Sequence, residues 1–282
     1  MIKLCAFSDE AESFLQGQIV ALQRNGISYT ELRGVNGKNV KDLTPLEVKE
    51  IKKQLDDGGI SVWSIGSPLG KVSVGVDENE YEETVKRVCE TATILQTDKI
   101  RMFSFFNAYT QGERVVELLT KMTETATSFG VKLYHENEKD IYGDTVERVE
   151  ELLRKVPALG FVYDPANFLQ VGEPAEKTLA RLSKRADYFH VKDVIVETGE
   201  LVPAGYGDGR ILKMIEGIDG DKVLTLEPHL TVFDGYAQID GTAMKNKFTF
   251  KNGNEAFDFA VSSLKKLLNQ AGYREEKGVF QK

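Results

Sequence analysis

The chain is poor in thiols, imidazoles and indoles, with two cysteines, three histidines and one tryptophan among 282 residues. Cys5 and Cys89 have no metal-ligand spacing. A disulfide framework and a thiolate zinc site are therefore excluded, and a reducing compartment fits. A basic excess is also missing: 36 Lys and Arg face 44 Asp and Glu, a formal net charge of −8. Such a chain matches the phosphate backbone of nucleic acid poorly. No apolar run approaches the ~18 residues of a membrane span. Ser8-Asp9-Glu10 cuts off the N-terminal run Met1–Phe7 before a signal segment forms. These absences predict a soluble, cytoplasmic protein with neither a nucleic-acid nor a membrane partner. There is no glycine-rich dinucleotide turn after the first apolar segment, which argues against a doubly wound open sheet.

What is present is an unbroken alternation of short apolar runs and amphipathic stretches. Strands are predicted to begin near residues 2, 27, 60, 99, 131, 159, 187 and 222, each followed by a helix. Thr44-Pro45 reads as N-cap and first helical residue. Asp144 with Glu147 reads as a cap for the helix reaching Lys155. Alternating strands and helices require a parallel sheet with right-handed crossovers. Eight such units predict one α/β domain over residues 1–282, a single (β/α)8 TIM barrel. Leu230–Gly253 is longer than ordinary connections and contains Phe233, Tyr236, Phe248 and Phe250. It is expected to act as a lid or an interface loop within that domain.

The functional signal lies at the strand ends. Leu133-Tyr134-His135-Glu136-Asn137-Glu138 turns from apolar to ionisable, and the event recurs at Asp164, His190 and Glu227. In a parallel barrel the C-terminal strand ends converge on one mouth, so these four side chains should meet. Three carboxylates and one imidazole form a hard, oxygen-rich set suited to Mn²⁺, Mg²⁺ or a similar divalent ion. Side-chain alternation puts Tyr134, Glu136 and Glu138 on one face and His135 on the other, where a supporting or structural role is expected.

The segments HENEKDIYGDT (135–145), DPANF (164–168), HVKD (190–193), PAGYGDG (203–209) and LEPHL (226–230) carry a resemblance that runs nearly end to end. The chain resembles the xylose-isomerase-like TIM-barrel superfamily. That group includes sugar (phosphate) isomerases and epimerases such as D-tagatose 3-epimerase and hydroxypyruvate isomerase, and also inosose dehydratase and endonuclease IV. The resemblance implies one divalent ion, Mn²⁺ first with Mg²⁺, Co²⁺ or Zn²⁺ as alternatives, held by Glu136, Asp164, His190 and Glu227. It also implies Glu136 and Glu227 as acid/base residues on opposite faces of a substrate. Where relatives often have histidine, this chain has Asn167, three residues after the aspartate, and Glu138, two after the first glutamate. A histidine-rich three-zinc cluster of the endonuclease kind does not suit a chain with three histidines.

Such a set suits isomerisation or epimerisation of a sugar, sugar phosphate or polyol-derived keto-sugar, by proton transfer through an enediolate. Dehydration of an inosose or dehydroshikimate-like ketone is the first alternative. A non-catalytic sugar-binding barrel is the second. Glu138, Asn167, Lys192 and His229 are the expected substrate contacts, and a homo-oligomer is allowed. Glu31 and Arg33 could line the mouth but are read first as an internal ion pair, and Trp63 as barrel core or pocket wall. The Gly205–Gly209 turn is read first as a tight structural turn and second as a phosphate site.

Overall fold

The computed structural model describes residues 1–231, 248–276 and 278–282. Eight parallel strands form the barrel: β1 (Ile2–Ala6), β2 (Tyr29–Leu32), β3 (Ser61–Gly66), β4 (Lys99–Met102), β5 (Lys132–Glu136), β6 (Gly160–Tyr163), β7 (Tyr188–Val191) and β8 (Lys222–Leu226). Each pairs with the next. The ring closes where β1 runs parallel to β8, from Ile2 beside Lys222 to Ala6 beside Leu226. The chain is thus a single (β/α)8 TIM barrel.

Among the described residues it is flanked by α1 (Leu15–Arg24), α2 (Pro45–Asp57), α3 (Glu78–Ile94), α4 (Gly112–Ser128), α5 (Val146–Lys155), α6 (Ala175–Leu182), α7 (Ile211–Glu216) and α8 (Gly253–Gln270), besides a short helix at Pro165–Gln170. Their inner faces, such as Leu15, Ile19 and Leu22 of α1, join outward strand residues such as Leu4, Ile100 and Leu224 in one core. α2 begins as expected, with a capping box in which the Thr44 hydroxyl accepts from the Glu47 N–H and Glu47 reaches back to Thr44. α5 does not. Its N-cap is Thr145, and Asp144 instead forms an ion pair with Arg148 one turn on. A carboxylate with an arginine in reach is drawn to the charge rather than to the backbone N–H.

Three hairpins were not anticipated: Gly34–Val35 with Lys38–Asn39, Asp193–Ile195 with Glu200–Val202, and Arg274–Glu276 with Val279–Gln281. Their strands are too short to show a period-two pattern. The last hairpin pairs antiparallel with β1 through Ile2 and Lys3. Most of Leu230–Gly253, including Phe233 and Tyr236, lies outside the described residues.

The barrel interior has two halves. Toward the N-terminal ends of the strands, Cys5, Tyr134, Val162, Tyr188 and Val223 pack with Tyr29 and Trp63. Two residues further along β5–β8 the same inward face carries Glu136, Asp164, His190 and Thr225. The apolar layer fills the bottom and leaves the ionisable layer at the mouth.

Candidate metal centre and the cavity above it

Alternation along the strands puts Glu136 at the end of β5, Asp164 just after β6, His190 within β7 and Glu227 just after β8. One donor atom from each lies within 4.8 Å of the other three. All four are buried, Asp164 and His190 completely. Two of the atoms at the centre, Asp164 Oδ2 and His190 Nδ1, make no aligned hydrogen bond. Each lies against a charged neighbour, Asp164 Oδ2 against the Lys192 ammonium and His190 Nδ1 against the Glu136 and Glu227 carboxylates, so the donors crowd one point.

The surroundings orient each donor. His190 Nε2 lies 3.2 Å from Glu31 Oε2, which also accepts from the Thr225 hydroxyl at 3.1 Å; Glu31 Oε1 accepts from Tyr188 at 3.1 Å. A carboxylate on one ring nitrogen fixes the imidazole and turns the other nitrogen to the centre, a recurrent support for metal-binding histidines. Asp164 caps the short helix Pro165–Gln170, its Oδ1 accepting from the Asn167 N–H at 3.0 Å. That bond leaves Oδ2 for the centre. Asn167 Nδ2 donates to Glu136 Oε1 at 3.1 Å and to the Asn137 carbonyl at 2.9 Å.

Lys192 puts its ammonium 3.1 Å from Asp164 Oδ2 and 3.4 Å from Glu227 Oε2. The protonation balance reflects crowded negative charge. Burial raises the Asp164 carboxyl to about 7; Lys192 opposes the rise, and Glu136 and Glu227 add to it. Burial disfavours protonated His190, yet the Glu136 and Glu31 carboxylates outweigh it and hold the ring well above its ordinary value. Burial raises Glu227 as well, but Lys192 and His229 reverse this and hold it well below the usual carboxylate range. A set that captures protons and an ammonium in this way is short of positive charge.

Above the centre opens a cavity of ≈ 330 Å³. Its wall includes Glu136, Glu138, Glu227, Arg33, Arg101, Lys71 and Phe103. The volume suits a small ligand. Lys71 forms a salt bridge with Glu138 at 3.0 Å, and burial and the lysine act in opposite directions on that carboxyl, the lysine winning and lowering it. Of the four expected substrate contacts, Glu138 lines this cavity. Asn167 and Lys192 touch the donors without lining it, Asn167 at Glu136 and Lys192 at Asp164 and Glu227, and His229 lies 3.4 Å from both Glu10 and Glu227.

Several residues around the site were not anticipated, and one expected pairing is wrong. Glu31 and Arg33 do not pair with each other among the described contacts; Glu31 serves His190, while Arg33 binds Asp9, Glu10 and Glu227. Successive inward positions on one short strand diverge as the barrel twists, so each meets partners from other strands. Asp9, Glu10, Lys71 and Arg101 were missed. Arg101 alone had a signal, an arginine inside the apolar strand Ile100–Phe103. Glu10, Glu227 and His229 form a second group of close donors. The Arg33 guanidinium stands among them, 3.2 Å from Glu10 and 3.0 Å from Glu227, and is their cation.

The turn Gly205–Gly209 is structural. Its N–H groups at Gly205, Gly207 and Gly209 donate to the Asp193 carboxylate at 2.9, 3.1 and 2.8 Å. The chain supplies its own anion, and these donors are not open to a phosphate. A Cβ on Gly207 would lie 2.4 Å from Asp193 Oδ1, so only glycine permits this closure. His135 is turned away into the core, its Nε2 2.9 Å from the Ser104 hydroxyl. Trp63 belongs to the aromatic layer below, edge-on to Tyr29 and Tyr188.

Fold and site together define a (β/α)8 barrel with a buried carboxylate–imidazole cluster at its mouth. The chain belongs to the xylose isomerase-like TIM barrel family, whose model matches residues 19–272. No curated protein matches the sequence. Among solved structures, the probable 3-DHS dehydratase AsbF of Bacillus anthracis superposes with a TM-score of 0.72 at 17% identity, over 94% of this chain and 99% of that one. The IOLI protein, solved with a bound zinc atom, gives 0.69 at 17% identity over 95% and 97%. D-allulose 3-epimerase from Methylomonas sp. gives 0.72 at 14% identity over 96% and 98%. At such identities the likeness is one of fold.

Proposed function

We propose that the protein is a divalent-metal-dependent isomerase or epimerase of a keto-sugar or polyol-derived ketone. The observation that carries this reading is the buried convergence of Glu136, Asp164, His190 and Glu227, one donor atom of each within 4.8 Å of the other three. Three carboxylates and one imidazole suit Mn²⁺, Mg²⁺, Co²⁺ or Zn²⁺, and the four residues together would hold one such ion. Bound there, the ion supplies Lewis-acid polarisation of a carbonyl group. The zinc atom of the IOLI barrel and the activity named for the Methylomonas barrel support the same reading.

The residues of this chain then have separate tasks. Asp164 and His190 supply charge and position; Glu31 keeps the imidazole oriented. Glu136 and Glu227 reach the cavity from β5 and β8 and are the groups placed to move a proton. One takes the proton from the carbon beside the carbonyl. The other returns a proton from the opposite side for epimerisation; return to the adjacent carbon by the first gives isomerisation. Glu138 and Lys71, paired on the cavity wall, offer an acceptor and a donor to sugar hydroxyls. A lid or subunit contact by residues 230–253 remains part of the proposal.

The test is incubation of metal-loaded protein with a panel of ketohexoses, inososes and dehydroshikimate in D₂O. Deuterium entry beside the carbonyl with retained mass, abolished by chelator and restored by metal, is the expected result. Loss of water would make the same site a dehydratase. No exchange with any of these at saturating metal would leave a binding barrel.

A further inference from the structure

Each of the two glutamates divides its oxygens in the same way. Glu136 Oε1 lies 3.0 Å from His190 Nδ1, and Glu227 Oε2 lies 3.3 Å from the same atom. The opposite oxygen of each goes to an arginine: Glu136 Oε2 is 3.1 Å from Arg101 Nε, and Glu227 Oε1 is 3.0 Å from Arg33 Nη1. The two pairs come from four different strands or strand ends, yet repeat one arrangement.

The arginines are themselves held. Arg33 forks onto Asp9, Nε to Oδ2 at 2.9 Å and Nη2 to Oδ1 at 3.0 Å. Arg101 donates from Nη1 to the Ser67 carbonyl at 2.8 Å. The Phe7 ring serves both, 4.3 Å from Arg33 Cζ and 5.4 Å from Arg101 Cζ, and stands edge-on to His190. Gly66 leaves the room: a Cβ there would lie 2.5 Å from the Phe7 ring, 3.2 Å from Arg33 Cβ and 3.3 Å from Arg101 Nη2. Backbone, ring and guanidinium groups thus fit as one unit behind the glutamates.

We propose that Arg33 and Arg101 are positioning residues that hold one oxygen of each glutamate off the metal centre, so that each glutamate gives the ion a single oxygen and keeps the other for proton transfer. The proposal rests on the metal-assisted reading above and goes beyond it in assigning a role to each oxygen. A glutamate beside a hard cation binds through one oxygen or through both, and the second joins more readily where nothing competes for it. A guanidinium competes well, because charge-assisted bonds are among the strong ones and its fork fixes their direction. A capped oxygen still has lone-pair capacity to accept a substrate proton, since a carboxylate offers about four acceptor sites. Arg33 is the firmer cap, because the Arg101 Nε contact with Glu136 is close but not an aligned hydrogen bond.

The test uses Co²⁺ as probe and needs no substrate. Wild type and the variants R33M, R101M, R33K and R101K are stripped, reloaded and titrated while visible absorption is read. Carboxylate bands in the infrared spectrum report one- or two-oxygen binding in wild type directly, which keeps the test open if a methionine variant fails to fold. The caps predict one-oxygen glutamates in wild type. In R33M, and to a lesser degree R101M, the released oxygen joins the ion, the visible absorption weakens as coordination number rises, and Co²⁺ binds as tightly as before or tighter. The lysine variants should move back toward the wild-type spectrum. Residues that merely support ligands would instead cost about 10–100-fold in metal affinity when removed. That loss, an unchanged spectrum in the methionine variants, or two-oxygen bands in wild type would each overturn the proposal. If wild type takes up no Co²⁺, the metal-assisted reading fails and the caps with it; if wild type binds and the variants match it, the caps alone fail.

Discussion

The two halves of the barrel interior are built from the same strands, two residues apart. At the bottom, Tyr134, Val162, Tyr188 and Val223 face one another in an apolar layer. At the mouth, Glu136, Asp164, His190 and, beyond Thr225, Glu227 form the ionisable cluster. The lower layer gains from being filled, and its rim lysines lie flat on it: Lys3 over Tyr29, Lys99 over Trp63, Lys132 over Tyr134. Their ammonium groups stay near water while the rings stay buried. The upper layer is crowded with like charge, which two arginines, one lysine and, on our reading, an ion offset. Removing a side chain should therefore lower stability at the bottom and change chemistry at the top.

The largest effect should come from the glutamates. Glu136→Gln and Glu227→Gln keep size and one ligand oxygen but remove the base, so turnover should fall ~10²–10⁴-fold with metal still bound. Deuterium wash-in at saturating metal measures this, and wild-type exchange in both variants would remove them from the mechanism. Asp164→Asn comes next. It takes a charge from a site where ligand charge sets affinity, and should weaken metal binding by more than the roughly 10–100-fold expected for an outer partner. Metal content after chelation and reloading decides; a fully loaded variant breaks the assignment.

At the bottom the sign of the result should change. Trp63→Ala should cost about 3 kcal/mol of stability through the cavity it leaves, while metal affinity stays near wild type. Thermal unfolding and a metal titration on one sample check both halves of that statement, and a variant that loses metal without losing stability would reverse the comparison.

The smallest effect concerns His135, one residue from the site but on the opposite face. Burial pushes its pKa down to about 3 from an ordinary 6.5. The unfolded chain therefore binds a proton below pH 6.5 that the folded chain refuses. Stability is full above that pH and is lost as the pH falls toward 3, by at most about 1.4 kcal/mol per pH unit. Urea midpoints of wild type and His135→Gln should converge or cross between pH 7 and 5. Parallel curves would show that His135 is protonated in the folded protein.

Much of this was legible without coordinates. The eight-fold alternation gave the barrel because strand and helix periods are local properties of the chain. The four donors were legible because each ends an apolar run, and a parallel barrel brings such ends together. Thr44 and Glu47 announced their capping box for the same local reason. Asp144 did not behave as its spacing suggested, because Arg148 was in reach. Arg101 was passed over because one arginine in a strand carries no pattern of its own.

By itself, then, the sequence determined the order of elements, the barrel and which side chains arrive at its mouth, since these follow from short-range periodicity and a fixed alternation of faces. Only the tertiary structure decided who meets whom. Glu31 reaches His190 rather than Arg33, Asp193 fills the nest of N–H groups that a phosphate would need, and Arg33 and Arg101 each take one oxygen from a glutamate far away in the chain. Those choices depend on strand twist, on the width of a closed ring and on the space left by Gly66, none of which is written in any local stretch of residues.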